Sequence, residues 1–108
     1  MKRLKVVCFG PQAALEQIAQ AVTHLNLGRW GNYDSWSALT PCTERFRPLA
    51  GSQPFQGQPG QLEATPSARL ELQCESDEFG PLLALIKQLH PYETPAIEAW
   101  ELFHPEQP

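Results

Sequence analysis

His90 and Glu93 stand three residues apart, separated by Pro91 and Tyr92, and an imidazole near a carboxylate suits a borderline divalent metal or a proton transfer. Two ligands do not complete a metal site, so assembly with other copies would have to supply the rest. Within one chain the structural alternative is favoured: His90 caps a helix end while Pro91 and Tyr92 fix the turn after it. Cys8, Cys42 and Cys74 lie far apart, odd in number and without CxxC or Cys/His spacing, so they read as reduced thiols. Cys8 and Cys74 fall in strand-like runs as small buried residues, and Cys42 in a loop as a bystander. No GxGxxG, phosphate-binding loop, nucleophile elbow or HExxH pattern occurs. A non-enzymatic chain is therefore expected, and His24 and His104 sit in ordinary surface contexts.

The elements that must position these groups follow from periodicity. Leu4–Phe9 is almost wholly apolar and reads as a central strand. Gly10 breaks it, and Pro11 suits the first turn of a helix, where its missing N–H is no loss. Leu15, Ile18, Val22 and Leu25 recur at three- and four-residue steps and form that helix's buried stripe. Asn26 to Gly31 carries the stop signals, with Gly28 able to adopt the positive angles of a helix exit. Residues 35–67 change character: five prolines and three glycines among polar residues predict a long irregular loop or distorted hairpin. Ala68–Cys74 alternates cleanly, with Leu70, Leu72 and Cys74 on one side. Ser76 ahead of two acids marks a second helix start. Its stripe is Leu82, Leu85, Ile86 and Leu89, and Pro91 ends it near His90. Ala96–Phe103 reads as a last strand with charge on both faces, as an edge strand or an intersubunit strand would have. A frayed tail is expected after residue 104.

The order strand, helix, strand pair, helix, strand is that of a ferredoxin-like βαββαβ sandwich, α+β in class, occupying residues 1–104 as one domain. With 108 residues, 42% of them apolar, the chain has material for a single core. A formal net charge of -4 disfavours nucleic acid. The apolar run after Lys2, Arg3 and Lys5 is too short for a signal core or a membrane span, so no membrane partner and a cytoplasmic location are expected.

Four motifs, Gly28-Arg29-Trp30-Gly31-Asn32-Tyr33-Asp34, Arg45-Phe46-Arg47-Pro48, Pro54-Phe55 with Gly57, Gly60, Leu62 and Glu63, and His90-Pro91-Tyr92-Glu93-Thr94-Pro95-Ala96, occur in this order. Together they resemble the YqfO-type insertion domain of the Nif-three-like dinuclear-metal proteins, over nearly the whole chain. The last motif is also similar to the HPYE segment of the CutA divalent-cation-tolerance proteins. The resemblance implies the PII/CutA-like version of the fold and a stand-alone copy of a module usually embedded in a larger protein. It implies no dinuclear centre, because the flanking domains that hold those metals are missing. One departure is visible: Cys42-Thr43-Glu44-Arg45 stands where the family has a Gly-Thr-Gly-Thr turn.

Tyr33, Asp34, Arg47 and Glu63 belong to the resembling motifs and are not explained by helix or strand periodicity. They are the candidate ligand-binding residues, with Arg47 able to grip a carboxylate or phosphate with two prongs. The competing reading makes them a network that pins the long loop to the core. The functional expectation is a PII-like regulatory module that binds a small molecule or protein partner between subunits of a homo-oligomer, a trimer favoured over a dimer. The alternatives are a CutA-like divalent metal (copper) protein with His90 and Glu93 as ligands, and a hydrolase-related accessory. No cofactor is certain beyond that conditional metal ion.

Overall fold

A computed structural model describes residues 2–103. The expected tail and His104 lie outside the described residues. Strand β1 (Arg3–Gly10) leads through helix α1 (Gln12–Val22) to β2 (Ser37–Phe46), which turns back as β3 (Glu63–Glu75). Helix α2 (Phe79–Leu89) then leads to β4 (Ile97–Glu101). All pairings are antiparallel, and the sheet order is β2-β3-β1-β4. This is the ferredoxin-like α+β arrangement.

The core lies between the sheet and the two helices. Leu15, Ile18 and Val22 of α1 and Leu82 and Ile86 of α2 meet Val6, Cys8, Leu70, Leu72 and Cys74. The alternation read in Ala68–Cys74 is real, with Ala68, Leu70, Leu72 and Cys74 buried and the residues between them half-buried. Each of those four stands opposite Gly10, Cys8, Val6 or Leu4 of β1, so one face of both strands serves one core. Burial pushes the Cys8 thiol up to about 12 and the Cys74 thiol up to about 11, with Glu78 and Glu75 adding to the latter.

Two local expectations are corrected. After Val22 the helix tightens into a 3₁₀ turn, Thr23–Leu25, and Asn26 adopts the left-handed conformation (φ 54°). The change of pitch swings Leu25 outward to 36% exposed, and Leu27, 7% exposed, fills the core position instead. The start of α2 shifts in the same way. Glu75, not Ser76, caps the 3₁₀ turn Ser76–Glu78, in a reciprocal capping box with Glu78 whose carboxylate accepts from the Glu75 N–H at 2.7 Å.

The largest correction concerns residues 35–67. Ten consecutive pairs, Ser37 with Leu72 through Phe46 with Glu63, form a regular ladder, so only Ser35, Trp36 and residues 47–62 of this stretch lie outside it. Pro41 fits because β2 is an edge strand, and Pro66 because β3 has outrun β1 there. Past the Gly10–Ala68 pair the hairpin continues as a two-stranded ribbon, which helps give the molecule its 48 Å long axis. Apolar alternation is weak in such a ribbon because it has little core to face.

Candidate functional site

Strand β3 spreads the four ligand-binding candidates along the molecule. Tyr33 and Asp34 belong to a turn at the Glu75 end. Gly28 there presses so close to Gln73 that a Cβ would stand 2.6 Å from its carbonyl oxygen. Trp30 and Tyr33 exchange backbone hydrogen bonds of 2.7 and 3.0 Å, and the Ser35 N–H donates to the Leu27 carbonyl at 2.8 Å. Arg3 holds this turn from beneath. Its guanidinium donates to the Arg29 carbonyl, pairs with Glu75 at 3.0 Å and lies 5.2 Å from the Trp30 ring centre. Tyr33 itself is 80% exposed, and the carboxylate of Asp34 accepts from Ser35.

Glu63 and Arg47 lie at the other end, where Glu63 faces Phe46 and Arg47 begins the loop. Some ten residues of strand, about 30 Å, separate them from the Tyr33 turn. The structure does not bring the four together. Arg47 is exposed, and Glu63 packs beneath Gly57, where a Cβ would stand 2.6 Å from Glu63 Cγ.

His90 and Glu93 also part company. His90 is 7% exposed at the end of α2, its Nε2 donating to the Phe9 carbonyl at 2.7 Å and its Nδ1 accepting the Tyr92 N–H at 3.1 Å. Both ring nitrogens are committed to the fold. Glu93 turns towards the loop, where Oε2 accepts the Gln53 N–H at 3.0 Å. Among the described residues no three His, Cys, Asp or Glu side chains gather as a metal would require. The residues present therefore do not fit a divalent ion within one chain: a ligand nitrogen must be free, and neither is.

What the chain does assemble is a cleft of about 360 Å³ between the end of the ribbon, the 47–62 loop and the turn after α2. Glu44, Arg45 and Phe46 come from β2, Pro54 and Phe55 from the loop, and Tyr92 and Glu93 from the turn. The Phe55 and Tyr92 ring centres are 5.9 Å apart, and the His90 ring lies 4.7 Å from that of Tyr92, tilted by 57°. The Tyr92 hydroxyl donates to Glu44 Oε1 at 3.4 Å. Burial pushes this phenol above its ordinary range, and the Glu44 carboxylate adds to the shift, so it remains a donor. Ser67 approaches the same hydroxyl and opposes the shift, yet its buried Oγ has no hydrogen bond of ordinary geometry.

Most of this cleft escaped the sequence reading. Tyr92, Phe55 and Arg45 lay inside the quoted motifs, but nothing in their spacing said that a loop residue and a turn residue 37 positions later would meet. Glu44 stands at the departure from the Gly-Thr-Gly-Thr pattern, and Glu93, singled out by its spacing from His90, also lines the cleft.

No family model matches the chain. The protein named GTP cyclohydrolase 1 type 2 homolog from Halalkalibacterium halodurans is 30% identical over 98 residues, and that of Bacillus subtilis is 32% identical over 97. The solved structure of a Bacillus cereus protein related to NIF3 superposes over 95% of this chain with a TM-score of 0.81 and 26% identity. Over most of its own length the chain is similar to one part of these Nif-three-like proteins. It spans about a quarter of the curated relatives it matches, 26% of each, and 26% of the Bacillus cereus chain. The periplasmic divalent cation tolerance protein CutA of Archaeoglobus fulgidus superposes with a TM-score of 0.72, 18% identity and 85% of its own length covered. That likeness shows the module's fold, the small PII/CutA-like sandwich. No helix among the described residues is long and apolar enough to cross a membrane.

Proposed function

We propose that the module is a non-enzymatic PII-like binding unit that takes a small molecule or a partner in the cleft between the 47–62 loop and the turn after α2, acting as a homo-oligomer in which a trimer is favoured over a dimer. The observation that carries this reading is the latch across the cleft: the Gln53 N–H to Glu93 and the Phe55 ring against Tyr92. An irregular segment with positive-φ glycines at 51, 57 and 60 is thereby tied to the sheet at few points, the construction expected of a responsive loop.

Assembly is supported by the sheet itself. Strand β4 is an edge strand with an unpaired side, and Trp36 and Trp100 are each 45% exposed. The polar face of the sheet carries a half-buried ladder in which Lys5 and Arg69 both reach Glu71, at 3.4 and 3.8 Å. Such a face, part apolar and part paired charge, suits burial against another copy.

Hydrogen exchange on the whole chain tests the binding role, since a cleft ligand should protect the 47–62 amides more than those of the core. Sedimentation tests assembly, and a monomer at micromolar concentration would remove the subunit-interface part of the proposal. The CutA fold keeps a divalent-metal role as the second reading, for which ligands would have to converge from several copies. Calorimetric titration with copper decides it, and an absence of any site tighter than weak surface binding would end that reading. A hydrolase-related role rests only on the name borne by relatives of which the chain spans about a quarter, and turnover by metal-stripped protein is its test.

A further inference from the structure

We infer that the cleft binds a small organic cation, a primary ammonium group on a short apolar stem, with the ammonium held by Glu44 and Glu93 and the stem laid against Phe55 and Tyr92. This rests on the cleft reading above and gives it a ligand class.

The alternation of β2 sorts the charges. Cys42, Glu44 and Phe46 are half-buried on the face that the loop and the turn cover, whereas Thr43 and Arg45 are exposed on the opposite face. Glu44 therefore looks into the cavity of about 360 Å³, and Glu93 lines it from the turn. Glu63, opposite Phe46 in the ladder, puts a third carboxylate on the same face of the ribbon. Arg69, opposite Thr40 on that face, is turned to the Phe9 ring and to Glu71. Neither Glu44 nor Glu93 belongs to an ion pair among the described residues. Glu44 is engaged by the Tyr92 hydroxyl at a long 3.4 Å, and Glu93 gives one oxygen to the Gln53 N–H. Carboxylates that line a cavity without a cation opposite them attract a positive ligand and repel an anionic one.

The walls add what carboxylates alone do not. Phe55 and Tyr92 are tilted by 43°, and aromatic faces attract an ammonium group as well as an apolar stem. Pro48, Pro54 and Ala96 extend the apolar lining, of which a bare metal ion would make no use. The volume is at the small end for ligand cavities, so the stem must be short. Ser67 points the same way. Opposite Cys42, it stands on the cleft side of the ribbon, 6% exposed, its oxygen beside the Tyr92 hydroxyl but unpartnered. A buried hydroxyl in that state is unfavourable. An ammonium that takes over Glu44 releases the Tyr92 hydroxyl to donate to Ser67.

The test is an amide NMR titration of the full chain with three probes of similar shape and different charge: phenethylamine, 2-phenylethanol and 3-phenylpropionate. Phenethylamine is expected to move the Gln53 and Tyr92 amides and to bind about tenfold tighter than the alcohol, with the carboxylate weakest. Glu44→Gln should weaken phenethylamine about tenfold and leave 2-phenylethanol, held by the rings alone, unchanged. Should Glu44→Gln unfold, Glu93→Gln is read against the same two probes. Equal binding of amine and alcohol, or a loss in Glu44→Gln shared by both, refutes the ammonium site while the cleft reading stands. Nα-acetyllysine methylamide separates two sources of the same group: if it binds tighter than phenethylamine the cleft takes a lysine of a partner, and if weaker a free amine. If no probe moves Gln53 or Tyr92 at millimolar concentration but another small molecule does, the ligand class alone falls, and if none does both fall.

Discussion

A methyl group on Gly10 would stand 2.6 Å from Nε2 of His90, so β1 and α2 reach their common end only because residue 10 has no side chain. The ring packed there carries its proton on Nε2, donates it to the Phe9 carbonyl and accepts the Tyr92 N–H on Nδ1. One imidazole thus ends a strand, ends a helix and starts the turn that forms a wall of the cleft.

Gly10→Ala should therefore destabilise the fold by about 1–3 kcal/mol, the usual cost of forcing extra volume into a packed site. The clash is with a ring held by two hydrogen bonds, so it cannot be relieved by a simple side-chain swing. Urea unfolding measures it, and an unchanged midpoint would mean that the His90 ring gives way freely.

His90→Ala removes the clash but leaves the Phe9 carbonyl and the Tyr92 N–H without their partner, at about 1–3 kcal/mol for each group that water cannot reach. Loss of hydrogen-exchange protection at Tyr92 should accompany the loss of stability. Gly10→Ala combined with His90→Ala should then cost less than the sum of the two, because the second change removes the obstacle to the first.

Arg3 is the corresponding tie at the far end of the sheet. It is almost fully buried and joins Glu75, the Arg29 carbonyl and the Trp30 ring. Arg3→Leu should cost about 3 kcal/mol, the lower end of the range for a broken buried pair, because Glu75 keeps some solvent. Arg3→Lys should rescue little of it, since a compact ammonium on a shorter side chain does not reproduce the planar fork set between Glu75, the Arg29 carbonyl and the Trp30 ring. Equal urea midpoints for the lysine variant and the parent would refute this.

The thiols make an alkaline prediction. Cys8 and Cys74 are held in their neutral form by burial, at about 12 and about 11 against an ordinary 9.0. Their burial contributes stability that is fully present below pH 9 and is lost as pH rises towards those values, because the unfolded chain ionises first. Stability should fall between about pH 9 and pH 12, and Cys8→Ala should flatten part of that slope. A slope unaltered by Cys8→Ala would place the alkaline loss elsewhere, Tyr92 being next because its phenol is also raised.

The fold was legible where side chains face a core, and the cleft was not. The stripes Leu15, Ile18, Val22 and Leu82, Ile86 and the alternation Leu70, Leu72, Cys74 each follow from one face being dry. Thr40 to Phe46 lies largely in a ribbon with little core behind it, so its pairing with Glu63 to Arg69 left no apolar period to find. Tyr33, Asp34, Arg47 and Glu63 have in common only motifs that resemble one family, and motif sharing carries no distance. The ladder of β3 puts them at opposite ends.

The latch across the cleft gives the last prediction. Glu93 holds the Gln53 N–H and Phe55 lies against Tyr92, but Gln53, Glu93 and Phe55 are all exposed, so solvent replaces much of what either loses. Glu93→Gln and Phe55→Ala should each change global stability by no more than about 1 kcal/mol. Their effect should appear in the loop: amides of residues 47–62 should exchange faster, Gln53 most of all, while those of Val6 to Cys8 stay protected. The two variants should also reinforce one another, because each releases one of the two contacts that hold the segment across the cleft. Loop exchange unchanged in the double variant would show that the Gly60 N–H to Pro48 carbonyl bond, 2.7 Å within the loop itself, and not the latch, fixes its conformation.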